Sequence, residues 1–314
     1  MRFLIVGPGA MGCLFAARLK KAGNEVTLLD YRQDRADFLN KKGITVEGVS
    51  GEYRANVTSI TEKLSDEVDV ALMCVKANQT KAAAERVKDL AGLASHVLTV
   101  QNGLGNVETL GAILGKEAVL GGVTAEGATL LGVGHVRHAG RGETIIGPKG
   151  EAEGPVSEIV SVFKEAGFDT RVVDNVDDLI WGKLVINVGI NALTAITRLK
   201  NGRLPEVKGS RSVLEEAVRE AVAVTEAKGI HLPYPDPLER VLEVCRATAG
   251  NIASMLQDVL NRRVTEVEHI NGAIVREGEI LGIPTPVNRT LAGIVQVLQE
   301  TYDEQLWTME SKNG

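Results

Sequence analysis

Between Asp177 and Ile196, in the stretch DDLIWGKLVINVGINALTAI, three polar residues recur at intervals of four: Lys183, Asn187 and Asn191. On a helix this spacing stacks one ammonium and two carboxamides on a single face. Ile180, Leu184, Val185, Ile186, Val188, Ile190 and Leu193 make the rest of the circumference apolar, and a helix apolar on most sides is buried. Burying these three polar groups without partners costs several kcal/mol, so something polar must meet them. An internal network, with the lysine reaching out along its stem, is one solution. A polar ligand facing the stripe is the other, and it is the favoured one. An ammonium held there suits reduction of a ketone. Hydride arriving at a carbonyl carbon leaves negative charge on the oxygen, which a fixed ammonium stabilises and then protonates. Partial burial lowers a lysine pKa and eases that proton release. Asn187 and Asn191 would orient hydroxyl or carboxylate groups of the same molecule.

Hydride chemistry needs a donor, and the other end of the chain supplies a cradle for one. FLIV runs directly into Gly7-Pro8-Gly9-Ala10-Met11-Gly12 and then a helical pattern that stops at Gly23. Strand, glycine turn and helix in this order form a phosphate-binding motif. Gly7 permits the tight turn, Gly9 lets a pyrophosphate approach the backbone, and Gly12 lets the helix pack closely. The helix N-terminus adds unpaired N–H groups and a partial positive charge. Asp30 closes the next strand. An acid there binds ribose hydroxyls and favours NAD, whereas arginine there accommodates the extra phosphate of NADP. Asp30 is followed by Tyr31, Arg32 and Arg35, so both cofactors stay open. Two further strand ends fall on the same edge. One carries Lys76, Asn78 and Gln79; the other carries Gln101, Asn102 and Gly103. A lysine there neutralises phosphate, and an amide holds ribose or nicotinamide.

The elements that position these groups divide into two textures. Up to about residue 174, short β-rich runs (FLIV, EVTLLD, DVALMCV, HVLTV, AVLGGV, HVRHAG, ETIIG, TRVVD) alternate with helical stretches. That is the pattern of an α/β doubly wound sheet, with antiparallel additions near HVRHAGRGETIIG. From residue 175 on, nearly everything reads as helix: about 206–228, 237–260, 264–281 and 288–305, punctuated by HLPYPDP and GIPTP. The expected domains are 1–174, binding the dinucleotide, and 175–314, helical, holding substrate. The closing ESKNG is expected to fray. Ser254 and Asp258 share one helical face, and Glu266 precedes an apolar seam. On spacing alone, all three equally suit solvent-exposed or first-turn positions.

Composition narrows the class. The formal net charge of -6 provides no basic field for nucleic acid or anionic lipid. Three scattered cysteines without a C-x-x-C argue against a disulfide framework and a cysteine zinc site. The five histidines show no metal-ligand spacing, so no metal is expected. The first strand starts almost at Met1, and no uncharged apolar run approaches a membrane span. A cytoplasmic enzyme without nucleic-acid or membrane partners is expected, its oligomeric state open, a homodimer included.

GPGAMG, VKANQT, QNGLGN, GHVRHAGRGETIIG, WGKLVINVGINALTAI, NGRL, NIASMLQDV and TEVEHINGAIV, in this order over essentially the whole chain, together resemble the ketopantoate reductase family. The resemblance implies a Rossmann-type domain followed by a helical domain. It also implies reduction of 2-dehydropantoate to (R)-pantoate with NADPH, on the route to pantothenate and coenzyme A. In its light Lys183 is the proton donor and Glu266 lies beside substrate and cofactor. Asn102, Asn187, Asn191, Asn201 and Ser254 would contact the substrate. The glycine turn, Arg32, Lys76, Gln79, Asn102 and Ala128 would hold the cofactor. The chain departs from the family pattern at Asp30 and Tyr31, which bears on NADPH preference, and at Glu126, where relatives often carry histidine. A β-hydroxyacid dehydrogenase shares the glycine turn and a K-x-x-x-N helix, but no PVSGG-like segment follows the middle strands. A non-catalytic nucleotide sensor on the same fold would have no need of the lysine–asparagine stripe.

Overall fold

A computed structural model describes residues 1–62, 64, 67–90, 94–149 and 156–305. The ESKNG tail and the end of the segment after Leu90 lie outside them. The chain divides into two compact units, the first Met1–Ile180 and the second beginning at Trp181.

Among its described residues the first unit holds twelve strands: β1 (Arg2–Val6), β2 (Glu25–Leu29), β3 (Ile44–Gly48), β4 (Tyr53–Ala55), β5 (Thr58–Ile60), β6 (Val68–Met73), β7 (Ala94–Thr99), β8 (Val119–Thr124), β9 (Gly127–Gly132), β10 (His135–Gly140), β11 (Thr144–Pro148) and β12 (Thr170–Val172). Its helices are α1 (Ala10–Lys21), α2 (Gln33–Lys42), α3 (Thr80–Leu90), α4 (Asn106–Leu114) and α5 (Val156–Glu165). Eight strands form one sheet in the order β12-β11-β8-β7-β6-β1-β2-β5. From β8 to β5 every pairing is parallel, while β11 runs antiparallel to β8. Strand β1 shows why parallel pairing is favoured. Phe3 and Ile5 enter one apolar cluster with Phe15, Phe163 and Phe168, and Leu4 enters the other with Met73 and Leu110. A strand apolar on both faces must be covered on both sides, as helical crossovers do. The chain runs outward from β1 to β2 and β5, then returns to β6 on the other side. The order therefore reverses at β1, and ligands bind such sheets outside the carboxyl ends of strands at that reversal.

Short runs that the sequence reading passed over add β3, β4, β5 and β9. HVRHAG, expected as an addition to the main sheet, instead joins a separate four-stranded sheet, β4-β3-β10-β9. There β10 pairs antiparallel with β9 and parallel with β3.

The second unit is helical. α6 (Asp177–Thr197) leads into α7 (Lys208–Lys228), α8 (Pro237–Ala247), α9 (Ser254–Leu260), α10 (Asn271–Leu281) and α11 (Pro286–Glu300). The division between the units falls one turn into α6, six residues beyond the expected boundary. Asp177 pairs with Lys149 at 2.9 Å, and Val176 and Ile180 lie against Gly121, so that first turn belongs with the sheet. Among the described residues α6 is long and apolar enough to cross a membrane, and 67% of its most apolar window is buried inside the protein. At Gly189 an added Cβ would come within 2.9 Å of Val218 and Val241, so glycine sets how closely α7 and α8 approach α6.

The expected helix over 237–260 is broken. Asp236 caps α8 by accepting from the Glu239 N–H at 2.9 Å, with Pro237 at the first turn, as HLPYPDP suggests. The helix then ends at Ala247. The carbonyls of Ala249 and Asn251 accept instead from the N–H groups of Gly202 and Asn201. The segment 264–281 is likewise split, with a 3₁₀ turn at Val267–His269 ahead of α10.

A buried amide network ties the second unit together. Asn271 Nδ2 donates to Asn288 Oδ1 at 2.9 Å and to the Val188 carbonyl of α6 at 3.3 Å. Asn288 Nδ2 donates to the Ala217 carbonyl and to Glu220. The Glu220 carboxylate also accepts the Val287 and Asn288 N–H groups at the start of α11. Asn288→Ala is expected to leave buried groups unpaired and lower stability by about 2–3 kcal/mol. A urea denaturation midpoint unchanged from wild type would count against this network.

Candidate active site

In the first unit the glycine turn has the backbone that the motif requires. Gly7 has φ +100°, and its N–H donates to the Leu29 carbonyl at 3.0 Å, fastening the turn to the end of β2. A Cβ on Gly12 would stand 2.0 Å from the Gly7 carbonyl oxygen, so the first turn of α1 lies directly on the loop. At Gly9, the residue capping α1, an added Cβ meets nothing within 4 Å. The backbone there is open, and the first N–H groups of a helix lack intrahelical partners. Those two facts fit an anionic group such as a dinucleotide pyrophosphate. Cys13 completes the support. Burial pushes its thiol up to about 12, so it stays protonated and donates to the Pro8 carbonyl at 3.4 Å.

The ends of β6 and β7 are laced together beside this turn. Gln101 Nε2 donates to the Val75 carbonyl at 2.6 Å and to Thr80 Oγ1 at 3.0 Å. Thr80 in turn donates to Asn106 Oδ1, and Asn106 Nδ2 donates to the Asn102 carbonyl at 3.0 Å. Thr80 and Asn106 are buried and fix the backbone of Asn102. Sequence reasoning missed both; a polar residue at the first position of α3 and of α4 was the available signal. Lys76 is partly buried, and Gln79 is exposed on the turn that follows. Ala128 lies on β9 and packs against the large apolar cluster that Ala10, Met11 and Cys74 also border.

At the end of β2 the charges are paired. Asp30 is buried and accepts from the N–H groups of Tyr31 and Arg32 at 2.7 and 3.1 Å. Both of its oxygens also accept from the Arg35 guanidinium. Arg32 is exposed and pairs with Asp34 rather than Asp30.

In the second unit the polar stripe of α6 is present as the spacing predicts. Asn191 is 5% exposed, and Lys183 and Asn187 are partly buried. The carboxamides of Asn187 and Asn191 have no hydrogen-bond partner among the described residues. Neither amide is sealed from solvent, so both can reach a polar ligand. Burial lowers the Lys183 pKa to about 8, with Glu266 pulling it back upward. Glu266 itself is only 5% exposed. It does not occupy the first turn of α10, since it precedes the 3₁₀ turn and its carbonyl accepts from the His269 N–H. Thr265 anchors it by donating from both N–H and Oγ1 to Gln299 at 2.9 and 2.8 Å. Lys183 and Glu266, eighty-three residues apart, are thus brought within electrostatic reach of each other.

Asn201 is buried in the turn between α6 and α7. Its Nδ2 donates to Thr248 at 2.9 Å, while its Oδ1 is buried without a partner among the described residues. Ser254 and Asp258 are not equivalent. Ser254 is exposed at the first position of α9 and its side chain makes no hydrogen bond among the described residues, whereas Asp258 is buried.

Comparison with known proteins gives this arrangement a context. Residues 3–151 match the family described as ketopantoate reductase PanE/ApbA, and residues 175–299 match its C-terminal region. A 2-dehydropantoate 2-reductase of Halobacterium salinarum is 36% identical over 302 residues, covering 95% of this chain and 99% of the relative. The crystal structure of a PanE/ApbA family ketopantoate reductase from Ralstonia eutropha JMP134 is 33% identical with a TM-score of 0.88, covering 96% of this chain and all of that one. D-mandelate dehydrogenase, solved with NADH and anilino(oxo)acetate, is 26% identical with a TM-score of 0.89 over 96% of this chain and all of that one. A Rossmann-type parallel sheet with a helical second unit, matched over nearly its whole length, makes this chain a member of the ketopantoate reductase family.

Proposed function

We propose that the chain is a 2-dehydropantoate 2-reductase that reduces ketopantoate to (R)-pantoate with NADPH. The observation that carries the reading is Lys183. It is an ammonium on an otherwise apolar helix, its pKa lowered to about 8, with Glu266 near it and two unpaired carboxamides one and two turns away. The relatives named 2-dehydropantoate 2-reductase support the substrate. Bound NADPH supplies the hydride that reduces the keto carbon.

The rest of the chemistry belongs to the protein. The turn Gly7–Gly12 and Lys76 would hold the phosphates of the cofactor, with Arg32 and Gln79 as further cofactor contacts. Asn102, its backbone fixed by Asn106, would hold the nicotinamide end, with Ala128 a further cofactor contact. Asn187, Asn191, Asn201 and Ser254 hold the hydroxyl and carboxylate of the keto acid. As the carbonyl oxygen gains charge, Lys183 Nζ stabilises it and transfers one proton to it. The neutral amine then recovers a proton from water. Glu266 keeps the ammonium charged until that moment by opposing the effect of burial. The free thiols of Cys13, Cys74 and Cys245 fit the cytoplasmic location inferred for such an enzyme.

Kinetics with ketopantoate and each dinucleotide test the reading, and the pH profile tests the donor. A proton donor works in its protonated form. The rate of reduction is therefore expected to hold level on the acid side of about 8 and fall as pH rises through it. The reverse oxidation, which needs the neutral amine as base, is expected to rise over the same range. A profile that breaks only at an ordinary lysine value, or not at all, would remove Lys183 from the proton transfer.

The similarity to D-mandelate dehydrogenase favours a second reading on one point: that dehydrogenase was solved with NADH. Asp30 leaves that cofactor open to this chain, so the NADH arm of the kinetics is part of the same test.

A further inference from the structure

Resting on the dinucleotide reading above, we propose that Arg35 is the specificity-determining residue for the adenosine ribose: it neutralises Asp30, so that the end of β2 admits a 2′-phosphate. An acid at this position selects a 2′-hydroxyl, because an uncompensated carboxylate repels a phosphate placed beside it. Asp30 has the location of such a selector but not its electrostatics. Its side chain is fully buried, and the fork of Arg35 engages both of its oxygens. The N–H groups of Tyr31 and Arg32 also donate to Oδ1. A carboxylate so buried and paired presents no free charge to a ligand.

The pair stands beside the phosphate turn. Asp30 directly follows Leu29, whose carbonyl accepts the Gly7 N–H at 3.0 Å. Arg35 lies on the first turn of α2, five residues after Asp30, so the way α2 leaves β2 delivers the guanidinium to the acid. The Arg35 side chain is 21% exposed and also lies 5.3 Å from the Tyr31 ring. Arg32 is differently placed, exposed and held by Asp34. The two arginines that the sequence offers as equivalents thus have separate tasks. Arg32 stands at the surface to meet a phosphate, and Arg35 removes the charge that would repel it.

Direct binding tests the assignment without relying on turnover. NADPH and NADH are titrated by fluorescence against wild type, Arg35→Ala, and the double variant Asp30→Asn/Arg35→Ala, with thermal melts to confirm folding. Asparagine keeps the oxygen that accepts the Tyr31 and Arg32 N–H groups, so the strand end survives in the double variant. Arg35→Ala is expected to weaken NADPH at least about tenfold and to leave NADH within about threefold. In the double variant NADPH affinity is expected to return to within about threefold of wild type, because the repelling charge has gone. An unchanged NADPH-to-NADH ratio in Arg35→Ala overturns the proposal. So does a double variant that fails to recover, since Arg35 would then act on the phosphate directly. If wild type binds neither dinucleotide, the functional reading itself fails, a result separate from either of these.

Discussion

Replacing Lys183 with alanine is expected to lower kcat for ketopantoate reduction by roughly two orders of magnitude or more, with the dissociation constant for NADPH largely kept. The size follows from what is removed. The developing alkoxide loses both its positive neighbour and its proton source at the moment charge appears. Water that enters the vacated space replaces neither well, because it is not fixed in advance. Cofactor affinity survives because the residues proposed to hold the dinucleotide phosphates lie on the glycine turn and the strand ends of the other unit. Glu266→Gln makes a useful companion. Without the carboxylate, burial alone sets the Lys183 pKa, so the break in the pH profile moves below about 8. Rates after Lys183→Ala within a few-fold of wild type would show that the proton comes from elsewhere and would favour a nucleotide-binding protein without this chemistry.

How much of this could be read from the chain depends on the range of the forces involved. The glycine turn was legible because its constraint is local: Gly7 must take φ +100°, and Gly12 must lack a Cβ. The α6 stripe was legible because helical period alone decides which side chains share a face. What escaped was set by distant partners. The break between α8 and α9 exists because the Ala249 and Asn251 carbonyls serve the Asn201 turn some fifty residues earlier. Glu266 reads as a first-turn acid until Gln299 is seen to hold Thr265 in place. The bracing of Asn102 by Asn106 and Thr80 joins two strand ends that only the sheet order makes neighbours. The acid and the two arginines after β2 spell an ambiguous cofactor site in one dimension. Only the direction in which α2 departs shows that Arg35, and not Arg32, takes Asp30.

The glycine turn carries the second large effect, and two alanine substitutions separate its structural part from its ligand-binding part. In Gly12→Ala the new methyl would stand 2.0 Å from the Gly7 carbonyl oxygen and 3.2 Å from Cys74 Cβ. Backbone must move, yet Gly7 is held to Leu29 and Cys74 to Val6 by hydrogen bonds of 3.0 and 2.8 Å. The variant is expected to melt at a lower temperature and to bind NADPH about a hundredfold more weakly, a loss of about 2.7 kcal/mol. Gly9→Ala behaves differently because its methyl touches no protein atom within 4 Å. Its melting temperature in the absence of ligand is expected to match wild type, while NADPH binding weakens by about tenfold or more, since the methyl occupies the space left for the pyrophosphate. The contrast matters more than either value. A protein that has lost affinity without losing stability locates the phosphates at Gly9, because only a ligand can feel a methyl group that nothing in the protein touches. Gly9→Ala binding NADPH as tightly as wild type would move the phosphates off this turn and undo the assignment of α1 as their cradle.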